Sequence, residues 1–305
     1  MKNVSFNKIF VLGAGAIGSI YGAFLSKRND VTLIGNKAHV NAIKTEGLSI
    51  SGHLNDTFHV KAETEIREIH KKTLIILTTK AYDIPKAIEK LNKLFQRDTV
   101  ILILQNGLGN EEIVKCVAGD KPKISRAITT MAAEFFCPGK IRFWKGETII
   151  EYSEVAERIA ETFNDSKLKT RLANDFRREL WKKLIVNCVV NPLSALFQVR
   201  NCEIVVDSLK NVRYDIVKEC CRVGRADGTI LSEDLCKEID EEISKYTNFS
   251  SMNQDIMKNK STEIDFLNGK IAELGRKYHI PTPVNETLVC AIKFLEEKNG
   301  IPRKN

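Results

Sequence analysis

A short apolar run, Lys8 to Leu12 (KIFVL), leads directly into GAGAIG at Gly13 to Gly18, and then into an apolar-periodic segment, Ala16 to Ser26. Strand, glycine turn and helix in that order constrain the fold more than any other feature of the chain. In a G-x-G-x-x-G turn the first glycine, Gly13, permits the tight bend. The second, Gly15, lets backbone approach a pyrophosphate. The third, Gly18, lets the helix pack on the sheet, and the helix N-terminus favours an anion. The turn therefore predicts dinucleotide binding by Gly13, Ala14, Gly15, Ala16, Ile17 and Gly18. A purely structural turn is the plainer alternative.

The residues behind this turn support the same architecture. DVTLIG at 30–35, TLIILTT at 73–79 and TVILILQ at 99–105 are buried-strand runs, and GLSISG after Glu46 is a short strand. Asn36 to Glu46 reads as a helix, and Pro85 opens another reaching about Phe95. Strands alternating with helices predict an α/β fold with a doubly wound parallel sheet. Residues 124–151 carry a Pro-Gly turn at 138–139 and read as edge strands or a hairpin. From about residue 173 the chain is charged, helical and nearly free of strand signals. Amphipathic segments cover 174–199, 203–226, 232–246, 253–278 and 283–298, with Gly228 and Pro281 between helices. Two domains are expected, a dinucleotide-binding one over 1–170 and an all-helical one over 171–305.

Composition narrows the function classes. The longest apolar runs fall far short of the roughly 20 residues that cross a bilayer. The N-terminal apolar run lacks a small-residue cleavage site, so it reads as the first strand, and a cytoplasmic protein is expected. Eight cysteines are scattered without a CxxC pair, and five histidines do not join them, which argues for reduced core thiols and against a metal site. The net charge of +8 is spread as pairs and carries no aromatic-interleaved basic motif, so nucleic acid is not indicated. The excess positive charge suits anionic substrates and phosphate-bearing cofactors, and equally describes a lysine-rich wet surface.

Polar groups at strand ends mark where ligands bind in such sheets. Thr78-Thr79-Lys80 and Gln105-Asn106-Gly107 are two such ends. Lys80 could meet phosphate, ribose or a carboxylate. Asn106 precedes a flexible Gly-Leu-Gly and could bridge ribose and substrate. Each is also an ordinary turn residue. The second strand ends Ile34-Gly35-Asn36-Lys37, without the acid that would hold a free ribose 2′-hydroxyl. Lys37 there favours a 2′-phosphate, hence NADPH over NADH, unless it is a solvated helix residue.

The segment Glu179 to Pro192, ELWKKLIVNCVVNP, is apolar nearly all round. Within it Lys183, Asn187 and Asn191 recur every four residues, so they share one helix face. A cation and two amides are costly to bury without a partner, and a small carbonyl-bearing ligand would supply one. Pro192 removes a backbone donor and frees a carbonyl near Asn187 and Cys188. A further polar cluster runs from 248 to 269. There Ser250 and Ser251 precede a helix as caps or ligands, and Glu263 does not outrank Asp265 by spacing.

Taken in order, GAGAIG, TTKAYD, QNGLGNEE, ELWKKLIVNCVVNPLSAL and SSMNQDI…TEIDFLNG resemble the ketopantoate reductase family over about residues 8–298. The resemblance implies an N-terminal Rossmann domain and a helical C-terminal domain like that of 6-phosphogluconate dehydrogenase. The activity it implies is reduction of 2-dehydropantoate to (R)-pantoate with NADPH, toward pantothenate and coenzyme A. It casts Lys183 as general acid and Glu263 as the active-site carboxylate. Asn187, Asn191 and Ser251 become substrate ligands. Asn106 touches substrate and cofactor, Lys80 lies on the cofactor side, and Glu263 and the Asn36-Lys37 pair also reach the cofactor. A small 2-oxo acid is the expected partner, with neither nucleic acid nor membrane, and a homodimer is compatible with the resemblance.

The chemistry agrees with these roles. Reduction of a keto carbon leaves charge on its oxygen, which a protonated Lys183 would stabilise and then neutralise. Glu263 beside it would favour the charged lysine. Two departures stand out. The family often carries arginine where this chain has Asn36, and TTMAAEFFCPGKIRFWKGE at 129–147 is bulkier than the usual glycine- and alanine-rich stretch, which bears on substrate fit near Glu134 to Trp144. A relative acting on another 2-oxo acid and a non-catalytic dinucleotide sensor are the competing readings.

Overall fold

The computed structural model describes residues 6–232 and 235–302. The chain divides into two compact units, one formed by 1–105 and 109–176, the other by 106–108 and 177–305.

The first unit is built on five short strand runs, four of them with almost no polar residues. Strands β1 (Lys8–Leu12), β2 (Val31–Ile34), β6 (Thr73–Leu77), β7 (Val100–Ile103) and β8 (Lys123–Thr129) lie side by side. Runs buried on both faces are what a parallel sheet covered by helices demands. Strands β3 (Leu48–Gly52), β4 (Asp56–Phe58), β5 (Lys61–Glu63), β9 (Ala132–Cys137), β10 (Lys140–Trp144), β11 (Thr148–Glu151) and β12 (Thr170–Ala173) complete the set. The main sheet has eight strands in the order β12-β11-β8-β7-β6-β1-β2-β5. All its pairings are parallel except β8 with β11. The order reverses between β1 and β6, which is the switch point where such sheets bind ligands. This is the doubly wound Rossmann arrangement.

Helices α1 (Ala16–Ser26), α2 (Lys37–Glu46), α3 (Ile84–Glu89), α4 (Asn110–Ala118) and α5 (Glu154–Asp165) accompany the strands. Three details differ from the sequence reading. The helix opened by Pro85 stops at Glu89 rather than near Phe95. Residues 124–151, read as edge strands or a hairpin, contain more than that: they contribute to four strands. Of these, β9 and β10 pair as a hairpin, and β10 also pairs in parallel with β3, giving a second sheet ordered β4-β3-β10-β9. That sheet is invisible locally because its partners lie some 90 residues apart in sequence. Helices α4 and α5 also went unread.

The second unit holds helices and no strand among its described residues. Helix α6 (Phe176–Phe197) leads into it, followed by α7 (Lys210–Ala226), α8 (Leu235–Ile243), α9 (Ser251–Met257), α10 (Asn268–Lys277) and α11 (Pro283–Lys298). Trp181, Leu184, Ile185, Cys188 and Val189 of α6 are buried at its centre, with Ile216, Cys220, Ile239 and Ile271. The segment read as one helix over 253–278 is two, parted by a 3₁₀ turn at Ile264–Phe266. Residues 233 and 234, within the helix expected over 232–246, lie outside the described residues.

Candidate active site

In the first unit the glycine turn is locked by its neighbours. Gly13 adopts φ +112°, and a Cβ there would stand 2.5 Å from the Thr79 backbone nitrogen. A Cβ on Gly18 would stand 2.3 Å from the Gly13 carbonyl oxygen. The Thr78 hydroxyl donates to that same oxygen at 2.8 Å, so the threonine at the end of β6 braces the turn. Gly15 is different. Nothing lies within van der Waals reach of its missing Cβ, the nearest atom being 4.0 Å away. Gly15 is also the N-cap of α1 and supplies no side-chain cap. The first N–H groups of α1 have no partner within the helix, and the positive end of its dipole lies there. A pyrophosphate fits that cradle, and the chemistry of the turn agrees with a dinucleotide.

At the end of β2, the Asn36 side chain accepts from the His39 N–H at 2.9 Å and caps α2. Lys37 is the first residue of that helix and is exposed. His39 is fully buried, bonded to Ser19 at 3.0 Å and accepting from the Gly139 N–H at 2.9 Å. Burial pushes its imidazole down to about 4, so it is neutral. Lys80 is half-buried at the N-terminus of a short 3₁₀ turn, after Thr78 and Thr79.

One contributor to this unit was missed. Arg126 on β8 is 1% exposed and donates to the carbonyls of Ile103 at 3.2 Å and Gln105 at 2.7 Å. Its Nε lies 3.1 Å from the Glu111 carboxylate. The guanidinium thus fixes the backbone just before Asn106. A buried arginine inside a strand run was the available signal.

Asn106 itself packs with the second unit. The Asn187 side-chain amide donates to its Oδ1 at 3.3 Å. Gly107, with φ +87°, passes so close to the Phe266 carbonyl that a Cβ would stand 2.3 Å from it. The loop bearing Asn106 is therefore seated on the 3₁₀ turn whose N-cap is Glu263. Glu263 is 7% exposed. Asn106, Asn187 and the turn that begins at Glu263 thus come together around the middle of α6.

Helix α6 keeps Lys183, Asn187 and Asn191 on one face, one turn apart. Asn187 and Asn191 are 8% and 5% exposed. Lys183 is half-buried, and desolvation lowers the pKa of its ammonium below the ordinary 10.5. The carboxylate whose field opposes that shift is Glu242 on α8. Glu242 was not legible from spacing. Glu242 also accepts a very short hydrogen bond from the Tyr246 hydroxyl and sits 3.8 Å from Lys182. Ser251 opens α9 and is half-buried, while Ser250 caps that helix by accepting from the Asn253 N–H at 3.0 Å. Of the two serines, then, Ser250 is committed to structure.

Comparison with known proteins gives this arrangement a family. Residues 9–157 match the model described as "Ketopantoate reductase PanE/ApbA", and residues 175–296 match "Ketopantoate reductase PanE/ApbA C terminal". The chain belongs to the ketopantoate reductase family. It is 38% identical over 305 residues to the 2-dehydropantoate 2-reductase of Pyrococcus horikoshii, covering 96% of this chain and 99% of that one. Among solved structures it resembles the PanE/ApbA family ketopantoate reductase of Ralstonia eutropha JMP134, with a TM-score of 0.89 and 29% identity, over 96% of this chain and 99% of that one. It also resembles a D-mandelate dehydrogenase solved with NADH and anilino(oxo)acetate, with a TM-score of 0.90 and 26% identity, over 96% and 100% of the two chains. No helix among the described residues is long and apolar enough to cross a membrane, and no group of three or more metal-ligating side chains occurs among them.

Proposed function

We propose that this protein reduces 2-dehydropantoate to pantoate with a nicotinamide dinucleotide, and that Lys183 is its general acid. The observation that carries this reading is the polar face of a buried helix. Lys183 stands one turn from Asn187, which is already bonded to Asn106. A reduced nicotinamide, when bound, supplies the hydride. This chain's residues do the rest. The Lys183 ammonium stabilises the negative charge that develops on the keto oxygen and then releases its proton to it. Glu242 helps hold that proton on Lys183 until then. Asn187, Asn191 and Ser251 orient the oxo acid, and Glu263 accepts from its hydroxyl. Gly13 to Gly18 hold the pyrophosphate on backbone N–H groups, with Lys80 and Asn106 on the cofactor side.

For the cofactor we favour NADPH. Lys37 opens α2, and no acid follows β2 to repel a 2′-phosphate. We place the reaction in the cytoplasm, where the eight cysteines, all free, stay reduced.

A second reading has support of its own. The D-mandelate dehydrogenase bearing NADH and anilino(oxo)acetate shares this fold at a TM-score of 0.90. A 2-oxo acid other than ketopantoate, reduced with NADH, is therefore the alternative. Oxidation of NADPH and of NADH would be followed with ketopantoate and with a 2-oxo acid lacking its 4-hydroxyl. Preference for ketopantoate with NADPH supports the first reading. Preference for the simpler acid with NADH supports the second. Tight dinucleotide binding without turnover of either contradicts both and favours a sensor.

A further inference from the structure

Helix α6 runs unbroken through Pro192. Proline has no N–H, so the carbonyl four residues earlier, that of Cys188, has no helical partner. Cys188 and Val189 are fully buried, and an orphaned carbonyl in such a place is costly. The Asn268 side-chain amide supplies the missing bond, donating to the Cys188 carbonyl at 3.0 Å.

Asn268 is the first residue of α10 and has no exposure. Its nitrogen also donates to Asn285 Oδ1 at 2.9 Å. The Asn285 amide donates in turn to the Glu219 carboxylate at 2.7 Å. Glu219, 2% exposed on α7, also accepts from the backbone N–H groups of Val284 and Asn285, at 2.9 and 3.0 Å. The direction of every bond is forced from its ends. A carbonyl and a carboxylate can only accept, so Asn268 must turn its nitrogen to Cys188, and Asn285 its nitrogen to Glu219. A buried side-chain network restrains the elements it joins. This one joins α6 to α10, α11 and α7, and it grips α6 at the residue next to Asn187.

We propose that Asn268 is a positioning residue for substrate binding. By holding the Cys188 carbonyl it fixes the turn of α6 from Asn187 to Asn191, and so the direction of both amides. Its side chain bonds to α6 and α11, and it acts on substrate only through that helix. The proposal rests on the reading of α6 as the substrate-binding helix.

Pro192→Ala provides the test, because alanine restores the N–H that a regular helix would direct at the Cys188 carbonyl. Asn268→Leu should raise the KM for ketopantoate about tenfold and leave the dinucleotide Kd within about twofold. Pro192→Ala alone should change KM less than about threefold. The double variant should recover KM to within about threefold of the parent, because the carbonyl is satisfied again. A merely structural Asn268 gives a different pattern, in which the melting temperature falls, KM holds, and Pro192→Ala rescues nothing. That pattern, or a double variant as impaired as Asn268→Leu, overturns the proposal. If Asn268→Leu does not fold, Asn268→Ser takes its place, with a hydroxyl too short to reach the carbonyl. Asn187→Ala is measured alongside. If it leaves KM unchanged, the reading of α6 fails and the proposal with it. If it raises KM while the Asn268 variants do not, the proposal fails alone.

Discussion

The glycine turn of the first unit and helix α6 of the second are both polar features in apolar surroundings, made in opposite ways. The turn is built from backbone. Its specificity comes from side chains that are absent, and it is braced by the Thr78 hydroxyl and by the Ile34 carbonyl, which accepts from the Gly13 and Ala14 N–H groups at 3.0 and 2.7 Å. Helix α6 is built from side chains. Residues far away in sequence act on it: Asn106 accepts from Asn187, Glu242 opposes the lowering of the Lys183 pKa, and Asn268 holds the Cys188 carbonyl between Asn187 and Asn191. A backbone cradle recognises what all dinucleotides share. In the proposed function a side-chain face recognises one substrate and holds one proton. The two regions should therefore fail differently.

The largest effect is expected at α6. Lys183→Ala should lower kcat roughly 10²–10⁴-fold, the usual worth of a placed general acid, as read by steady-state ketopantoate reduction. At the turn, Gly15→Ala should lose tenfold or more in dinucleotide affinity by fluorescence titration. Its melting temperature should hold, because the new methyl meets no atom of the fold. Gly18→Ala is the contrast, since its methyl would collide with the Gly13 carbonyl and cost stability as well. Asn187→Ala should raise the KM for ketopantoate about tenfold, near the 1.4 kcal/mol of one hydrogen bond to substrate, with dinucleotide affinity unchanged.

Smaller effects read out protons. Lys183 donates only when charged, so the rate falls as pH rises through its lowered pKa. Glu242→Gln removes the charge that opposes the lowering. The alkaline limb of the kcat profile should then move to lower pH, and an unmoved limb would show that Glu242 does not act on Lys183. In the first unit, His39 has a folded pKa of about 4 against 6.5 for the free side chain. Between those values the unfolded chain binds a proton that the folded chain does not, so stability rises with pH across that window. Acidification should cost at most about 3 kcal/mol there and level off below about pH 4. A His39→Gln variant should flatten this part of the melting-temperature profile.

What the sequence made legible follows the same division. The turn, its strand and its helix are contiguous, so local pattern placed them, and the buried runs behind them gave the parallel sheet. The face of α6 was legible because four-residue spacing is itself local. Its partners were not. Glu242 lies 59 residues beyond Lys183, in a helix whose acidic residues look like a wet surface. Pro192 announced a freed carbonyl near Asn187 and Cys188, but nothing in the chain says that Asn268 would take it. The second sheet was hidden for the same reason, since β3 and β10 meet only through the fold. The place of Asn36 after β2 marks it as an expected cofactor ligand, and its side-chain oxygen caps α2, a role that spacing alone did not show.

The division of labour between the two regions is tested most directly by one titration. Lys183→Ala would be titrated with NADPH and NADH by fluorescence, and the same preparation assayed for ketopantoate reduction. Dinucleotide affinity within about twofold of the parent, with turnover lost, is the predicted result. Loss of dinucleotide binding, or turnover that survives, would contradict the assignment of proton transfer to α6.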